Sequence, residues 1–109
     1  MLGNVNAQYP GKVPQAYKYL GIYYARQGNT QAAFNCYDTL INKMHERDAG
    51  AYCNMGSIYL DMHNYDVAMK YLQASLQIDS NSFMSYENLG RIYATKGDYN
   101  TALQYYDRA

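Results

Sequence analysis

Tyr52, Asn54, Met55, Gly56, Tyr59 and Ala68 come back 34 residues later as Tyr86, Asn88, Leu89, Gly90, Tyr93 and Ala102. A third copy lies upstream as Tyr17, Leu20, Gly21, Tyr24 and Ala33, displaced by 35 because one residue is inserted before Gly50. Self-similarity at a period of about 34 residues marks a helical solenoid, whose units cannot bury their apolar face alone. The chain is therefore expected to be all-α, a stack of helix pairs. The functional question becomes what those helices hold.

Numbering each unit so that Gly21, Gly56 and Gly90 are position 8 puts Tyr17, Tyr52 and Tyr86 at position 4. Leu20, Met55 and Leu89 then stand at position 7, and Tyr24, Tyr59 and Tyr93 at position 11. Ala33, Ala68 and Ala102 stand at position 20, and Tyr37, Leu72 and Tyr106 at position 24. In these residues the chain resembles the tetratricopeptide repeat family from Pro14 to its end. The resemblance implies a right-handed α-solenoid of six helices in antiparallel pairs. The repeats would span 14–48, 49–82 and 83–109, the third stopping inside its second helix, as in a piece of a longer array. Residues 1–13 are either a linker or the remnant of a preceding repeat, with Pro10 as its inter-unit proline. The proline usual between units is absent after both complete repeats, and Ser80 stands at one such site.

Each unit carries two apolar stripes at helical spacing, parted by Gly28-Asn29, His63-Asn64 or Gly97-Asp98. Glycine enters the left-handed backbone at no steric cost and ends a helix, while Asn or Asp caps the next one. First helices are expected near 14–27, 50–62 and 83–96, second helices near 30–47, 65–78 and 99–109. Asp79-Ser80-Asn81-Ser82 reads as a turn with Ser82 as a cap, and Asp48-Ala49-Gly50 as its weaker equivalent. Gly at position 8 is expected to face Ala at position 20, so that a bulky residue at Gly56 or Ala68 overpacks the pair by roughly 1–3 kcal/mol. Of the 15 tyrosines, most fall at the packing positions 4, 11, 17, 23 and 24; Tyr9, Tyr19 and Tyr23 do not.

Nine basic and nine acidic residues balance, with no run of Lys and Arg. A surface that tracks phosphates needs a basic stripe, so nucleic acid is not the expected partner. No apolar stretch approaches the roughly 20 residues needed to span a bilayer, and Met1 to Val13 is not an intact secretory signal. A cytoplasmic location is the default. Cys36 and Cys53 lack a CxxC partner, and His45 and His63 are scattered, so no metal and no cofactor is expected. There is no phosphate-cradling glycine loop and no nucleophile motif, and the acidic residues read as solvated helix faces. The expectation is a protein that is not an enzyme.

The resemblance also implies where a partner binds. In such arrays first helices line a concave groove, and the matching positions here include Lys18, Tyr19, Ile22 and Arg26 from the first unit. The second contributes Cys53, Asn54, Ser57 and Leu60, and the third Met84, Glu87, Asn88 and Arg91. This mixed face suits an extended peptide that is not strongly charged. The carboxylate clamp of chaperone-binding members matches only at Lys18 and Asn54, since Ile22, Met84 and Asn88 fill its other slots. A carboxylate needs converging donors to offset its desolvation. Position-6 Asn54 and Asn88 resemble the asparagine ladder of glycosyltransferase and spindle-adaptor superhelices, in which an amide donates to and accepts from a peptide backbone. The alternative is that both are polar surface residues, in which case replacing them changes no binding. The ladder predicts that their double alanine variant loses peptide without losing stability.

The leading function is thus a protein–protein interaction module, an adaptor that holds a peptide or partner segment in its groove. Two others stand beside it: a self-associating scaffold that uses Leu103, Tyr105 and Tyr106 on the final helix, and a substrate-recruiting arm of a larger protein.

Overall fold

The computed structural model describes residues 13–109; what the first twelve residues do lies outside the described residues. Six α-helices and no strand occur among those described. They are α1 (Val13–Arg26), α2 (Thr30–Asp38), α3 (Ala49–Asp61), α4 (Tyr65–Ile78), α5 (Phe83–Thr95) and α6 (Tyr99–Arg108). The chain divides into two compact units, Met1–Arg47 and Asp48–Ala109.

In the first unit α1 packs on α2. Tyr37 is almost wholly buried, and its ring covers Gly21, where a Cβ would stand 2.7 Å from Tyr37 Cε1. The turn between the helices closes by two backbone bonds, Gly28 N–H to the Ala25 carbonyl (3.1 Å) and Asn29 N–H to the Tyr24 carbonyl (2.9 Å). That pattern requires a left-handed residue between them, which Gly28 supplies at φ 77°. Asn29 then caps α2 by accepting from Ala32 N–H.

The second helix of this unit does not run to residue 47 as expected. It turns from α to π geometry over Thr39–Lys43, with Met44 N–H reaching back five residues to the Thr39 carbonyl. It is then closed by Glu46 N–H on the Leu40 carbonyl across His45, which is left-handed at φ 57°. A π turn takes up more residues than an α turn. It lies in the segment that makes the first spacing 35 residues instead of 34, and so absorbs the extra residue without moving the apolar stripe.

In the second unit α3 packs on α4, α5 on α6, and α4 and α3 also meet α5. Cys53, Leu60, Ala68, Leu72, Leu89 and Ile92 form its core, with Tyr59, Tyr65, Met69, Leu76 and Tyr105 packed around them. Both turns inside the helix pairs repeat the closure seen at Gly28, through His63 (φ 61°) and Gly97 (φ 85°). Asp48 caps α3 through Ala51 N–H (2.9 Å), and Asp98 caps α6 through Thr101 N–H (3.2 Å). Ser82 precedes α5 but makes no side-chain cap; its hydroxyl lies 3.0 Å from that of Ser85.

The glycine contact differs in detail from expectation. A Cβ on Gly56 would meet Leu72 Cγ at 2.7 Å before the Ala68 carbonyl at 3.2 Å, and one on Gly90 would meet Tyr106 Cε1 at 2.9 Å. Position 8 is thus closed by the side chain at position 24. The alanine at position 20, fully or almost fully buried in each pair, provides the backbone approach. Tyrosines fill the other flank: Tyr71 stacks on Tyr59 with centroids 5.5 Å apart, and Tyr105 on Tyr93 at 5.5 Å.

Candidate functional site

In the second unit the residues expected to line a groove all stand on α3 and α5, one turn or so apart along each helix. Their surroundings divide them sharply. Cys53 and Leu60 belong to the core, because α3 is apolar on more than one side and positions 5 and 12 turn inward with it. They offer a partner little surface. Asn54 and Ser57 are half-buried, and Met84, Glu87 and Arg91 are exposed. On α1, in the other unit, Tyr19 and Arg26 are exposed, while Lys18 and Ile22 are half-buried.

The two asparagines are not equivalent. Asn88 is only 7% exposed, its Nδ2 directed at Cys53 Sγ (3.9 Å) and its Oδ1 taking a long bond from Arg91 Nη1 (3.4 Å). Asn54 is half-buried. A buried amide keeps its place only while its donors and acceptors are occupied, so Asn88 ties α5 to α3 and holds the Arg91 guanidinium over the same surface. Replacing Asn88 would disturb packing as well as any ligand, so the double alanine variant cannot be expected to leave stability untouched.

Burial pushes the Cys53 thiol up, while hydrogen bonds with Ser85 and Asn88 pull the other way; burial pushes Cys36 up as well. Both cysteines are free, and both hold their proton at neutral pH, which makes them poor nucleophiles. No group of three His, Cys, Asp or Glu that could hold a metal ion is found among the described residues. Nor is any of the described helices long and apolar enough to cross a membrane.

One feature went unread in the sequence, and a second was read with one residue out of place. The first is a buried chain of hydroxyls: Ser85 Oγ donates to Ser75 Oγ (3.0 Å), which donates to the Ala49 carbonyl (2.7 Å). The signal was present, since Ser75 is the one hydroxyl at a repeat position that holds Leu40 and Ala109 in the other two units. The other lies on α6, where the exposed apolar residues are Tyr99, Leu103 and Tyr106. Tyr105, expected to be available, is half-buried between Tyr86 and Tyr93. It occupies position 23, which the repeat pattern had already assigned to packing.

A family model described as tetratricopeptide repeat matches residues 47–109. Among solved structures, the crystal structure of MamA is 26% identical with a TM-score of 0.72, over 87% of this chain and 55% of that one. The chain therefore spans about half the length of MamA. The second TPR of Spaghetti (RPAP3), bound to the HSP90 peptide SRMEEVD, is 21% identical with a TM-score of 0.80, over 97% of this chain and 91% of that one. The N-terminal domain of stress-induced protein-1 from C. elegans is 16% identical with a TM-score of 0.71, over 89% of this chain and 81% of that one. Comparison with curated proteins gives no significant match.

Proposed function

The chain belongs to the tetratricopeptide repeat family, and from that premise we propose that it is a non-catalytic adaptor that binds an extended peptide along the first helices of its second unit, α3 and α5. The observation that carries this reading is the polar wall of the second unit. α3 and α5 use their apolar sides for the core and leave Asn54, Ser57, Glu87 and Arg91 along the remaining face. Amides and hydroxyls there can hold a peptide backbone at both its N–H and its C=O. Arg91, steadied by Asn88, can take a backbone carbonyl or a single side-chain acceptor.

The peptide in the Spaghetti complex ends in Glu-Glu-Val-Asp, an acidic tail. A tail of that kind needs several cations converging on it. Among the residues of this wall Arg91 is the one cation and Glu87 is of opposite charge, and Met84 occupies a slot where a cation would serve. The preferred guest is therefore a neutral or mixed segment.

Selection from a display library of random peptides, followed by titration against the wild type and Asn54→Ala/Arg91→Ala, tests the reading. Selected peptides should bind the variant at least tenfold more weakly while its thermal midpoint stays close to the wild type. Equal affinity for both proteins, with folding intact, would remove the wall from the mechanism.

A further inference from the structure

Met84, Asn88 and Arg91 follow one another on α5 at spacings of a helical turn, and so share one stripe of that helix. Met84 is 52% exposed and Phe83 before it 59%, so the first turn of α5 presents two adjacent apolar side chains. Arg91 is exposed as well, and its Nη1 donates a long bond to Asn88 Oδ1 (3.4 Å). The amide is held from its other end, with Nδ2 directed at Cys53 Sγ on α3 (3.9 Å). The guanidinium is thereby drawn back toward the start of the helix, level with residue 88, in the direction helical side chains already lean.

These exposures belong to places in the repeat. The positions of Met84 and Arg91 are filled on α3 by Gly50 and Ser57. Although α5 packs against α3, Gly50 is exposed and Ser57 half-buried. A following first helix thus leaves surface at both positions.

The spacing selects a guest. Met84 and Asn88 are one turn apart, which is about 6 Å along the axis at a rise of about 1.5 Å per residue. In an extended peptide, residues i and i+2 point to the same side and lie about 6.6 Å apart. Neighbouring residues point to opposite sides, so an odd separation fails. Charge narrows the choice further. Glu87, exposed one turn before Arg91, repels a second acid placed beside the first.

On the premise that this wall binds an extended peptide, we infer that the guest carries one apolar and one acidic side chain on residues i and i+2. The apolar one seats on Met84, whose flexible thioether adapts to aliphatic and aromatic shapes alike. The carboxylate meets the guanidinium that Asn88 holds, in a charge-assisted bond stronger than a neutral one. A tail of several carboxylates gains little more, because the wall has one cation to share among them.

Peptide display against the wild type and Arg91→Glu tests this, with circular dichroism melts to verify that the variant folds. Peptides selected by the wild type should carry an aliphatic or aromatic residue and an Asp or Glu two apart. Those selected by Arg91→Glu should carry Lys or Arg in place of the acid, at the same spacing. Moving the acid by one residue in a synthetic copy of a selected peptide should weaken binding roughly tenfold, the loss of one charge-assisted hydrogen bond. Met84→Ser should abolish the preference for an apolar residue and keep that for the acid. Selected peptides with no common spacing, or with the same acid on both proteins, overturn the inference. If such peptides still bind Asn54→Ala/Arg91→Ala more weakly than the wild type, the peptide-binding wall itself stands. If they do not, or if no peptide is selected at all, both readings fall.

Discussion

Ser85 donates its hydroxyl proton to Ser75 across 3.0 Å, joining α5 to α4 at a point where both residues are fully buried. Ser75 passes the chain on to the Ala49 carbonyl at the start of α3. Three helices of the second unit are thereby joined by two small side chains, beside the Asn88–Cys53 contact that also ties α5 to α3. Directional bonds of this kind set the relative slide of helices, which dispersion contacts leave softer.

Removing the central member of this chain takes a hydrogen bond from each of its neighbours. Ser75→Ala deletes the donor to Ala49 and the acceptor of Ser85 together, and a buried unsatisfied polar group costs about 1–3 kcal/mol. Urea unfolding should show a midpoint lowered by a corresponding amount with an unchanged slope. A midpoint within experimental error of the wild type would mean that the bonds contribute nothing net.

The glycines at position 8 are predicted to respond unequally to alanine. Exchange of Gly for Ala inside a helix gains about 1 kcal/mol from propensity. At Gly56 the new Cβ meets the fully buried Leu72 and the Ala68 backbone, which have nowhere to go, and overpacking costs about 1–3 kcal/mol. At Gly90 the nearest atoms it meets are those of the Tyr106 ring, which is 39% exposed and has solvent on one side to yield into. Gly56→Ala should therefore destabilise, and Gly90→Ala should be close to neutral. Equal effects in thermal melts would contradict the assignment.

His63 occupies the left-handed slot that Gly28 and Gly97 fill in the other two turns. A non-glycine residue there is strained by about 1–2 kcal/mol, and its contact with the Tyr65 hydroxyl (3.0 Å) is exposed and returns little. His63→Gly is expected to stabilise the protein by about 0.5–1 kcal/mol, the remainder being lost to the greater freedom of glycine in the unfolded chain. Differential scanning calorimetry reads this as a raised midpoint; a lowered one would show that the histidine is held by more than its cap.

The buried thiol of Cys53 gives the protein a pH signature. Its folded pKa lies above the ordinary value of 9.0, so the folded state keeps a proton that the unfolded chain releases. The associated stability is complete below about pH 9 and declines as pH rises from the unfolded value through the folded one. Cys53→Ala should shed that part of the alkaline decline. Identical slopes of stability against pH in the two proteins would count against a raised thiol.

Much of the architecture could be read from the chain alone. The Gly28-Asn29 and Gly97-Asp98 breaks foretold both a left-handed closure and a side-chain cap, and each helix start fell within one residue of its expected place, because these depend on backbone geometry and on neighbours close in sequence. The one boundary that moved, the end of the helix begun at Thr30, did so because a 35-residue spacing can be absorbed in several ways. Whether a loop lengthens or a helix widens into a π turn is settled by what keeps Leu40 and Ile41 buried.

The groove was less legible. Asn54 and Asn88 are the same residue at the same repeat position, yet one is half-buried and the other nearly closed off against Cys53. Tyr105 and Tyr106 are adjacent tyrosines, yet one is stacked between two rings and the other stands partly in solvent. The amino-acid sequence by itself determined that this protein is built of paired helices with small residues at their crossings, since the periodicity of apolar and small residues acts within each unit. Which polar side chains are left to meet a partner was decided only by the tertiary structure, because exposure belongs to the neighbouring helix that does or does not cover a position, and not to the residue that stands there.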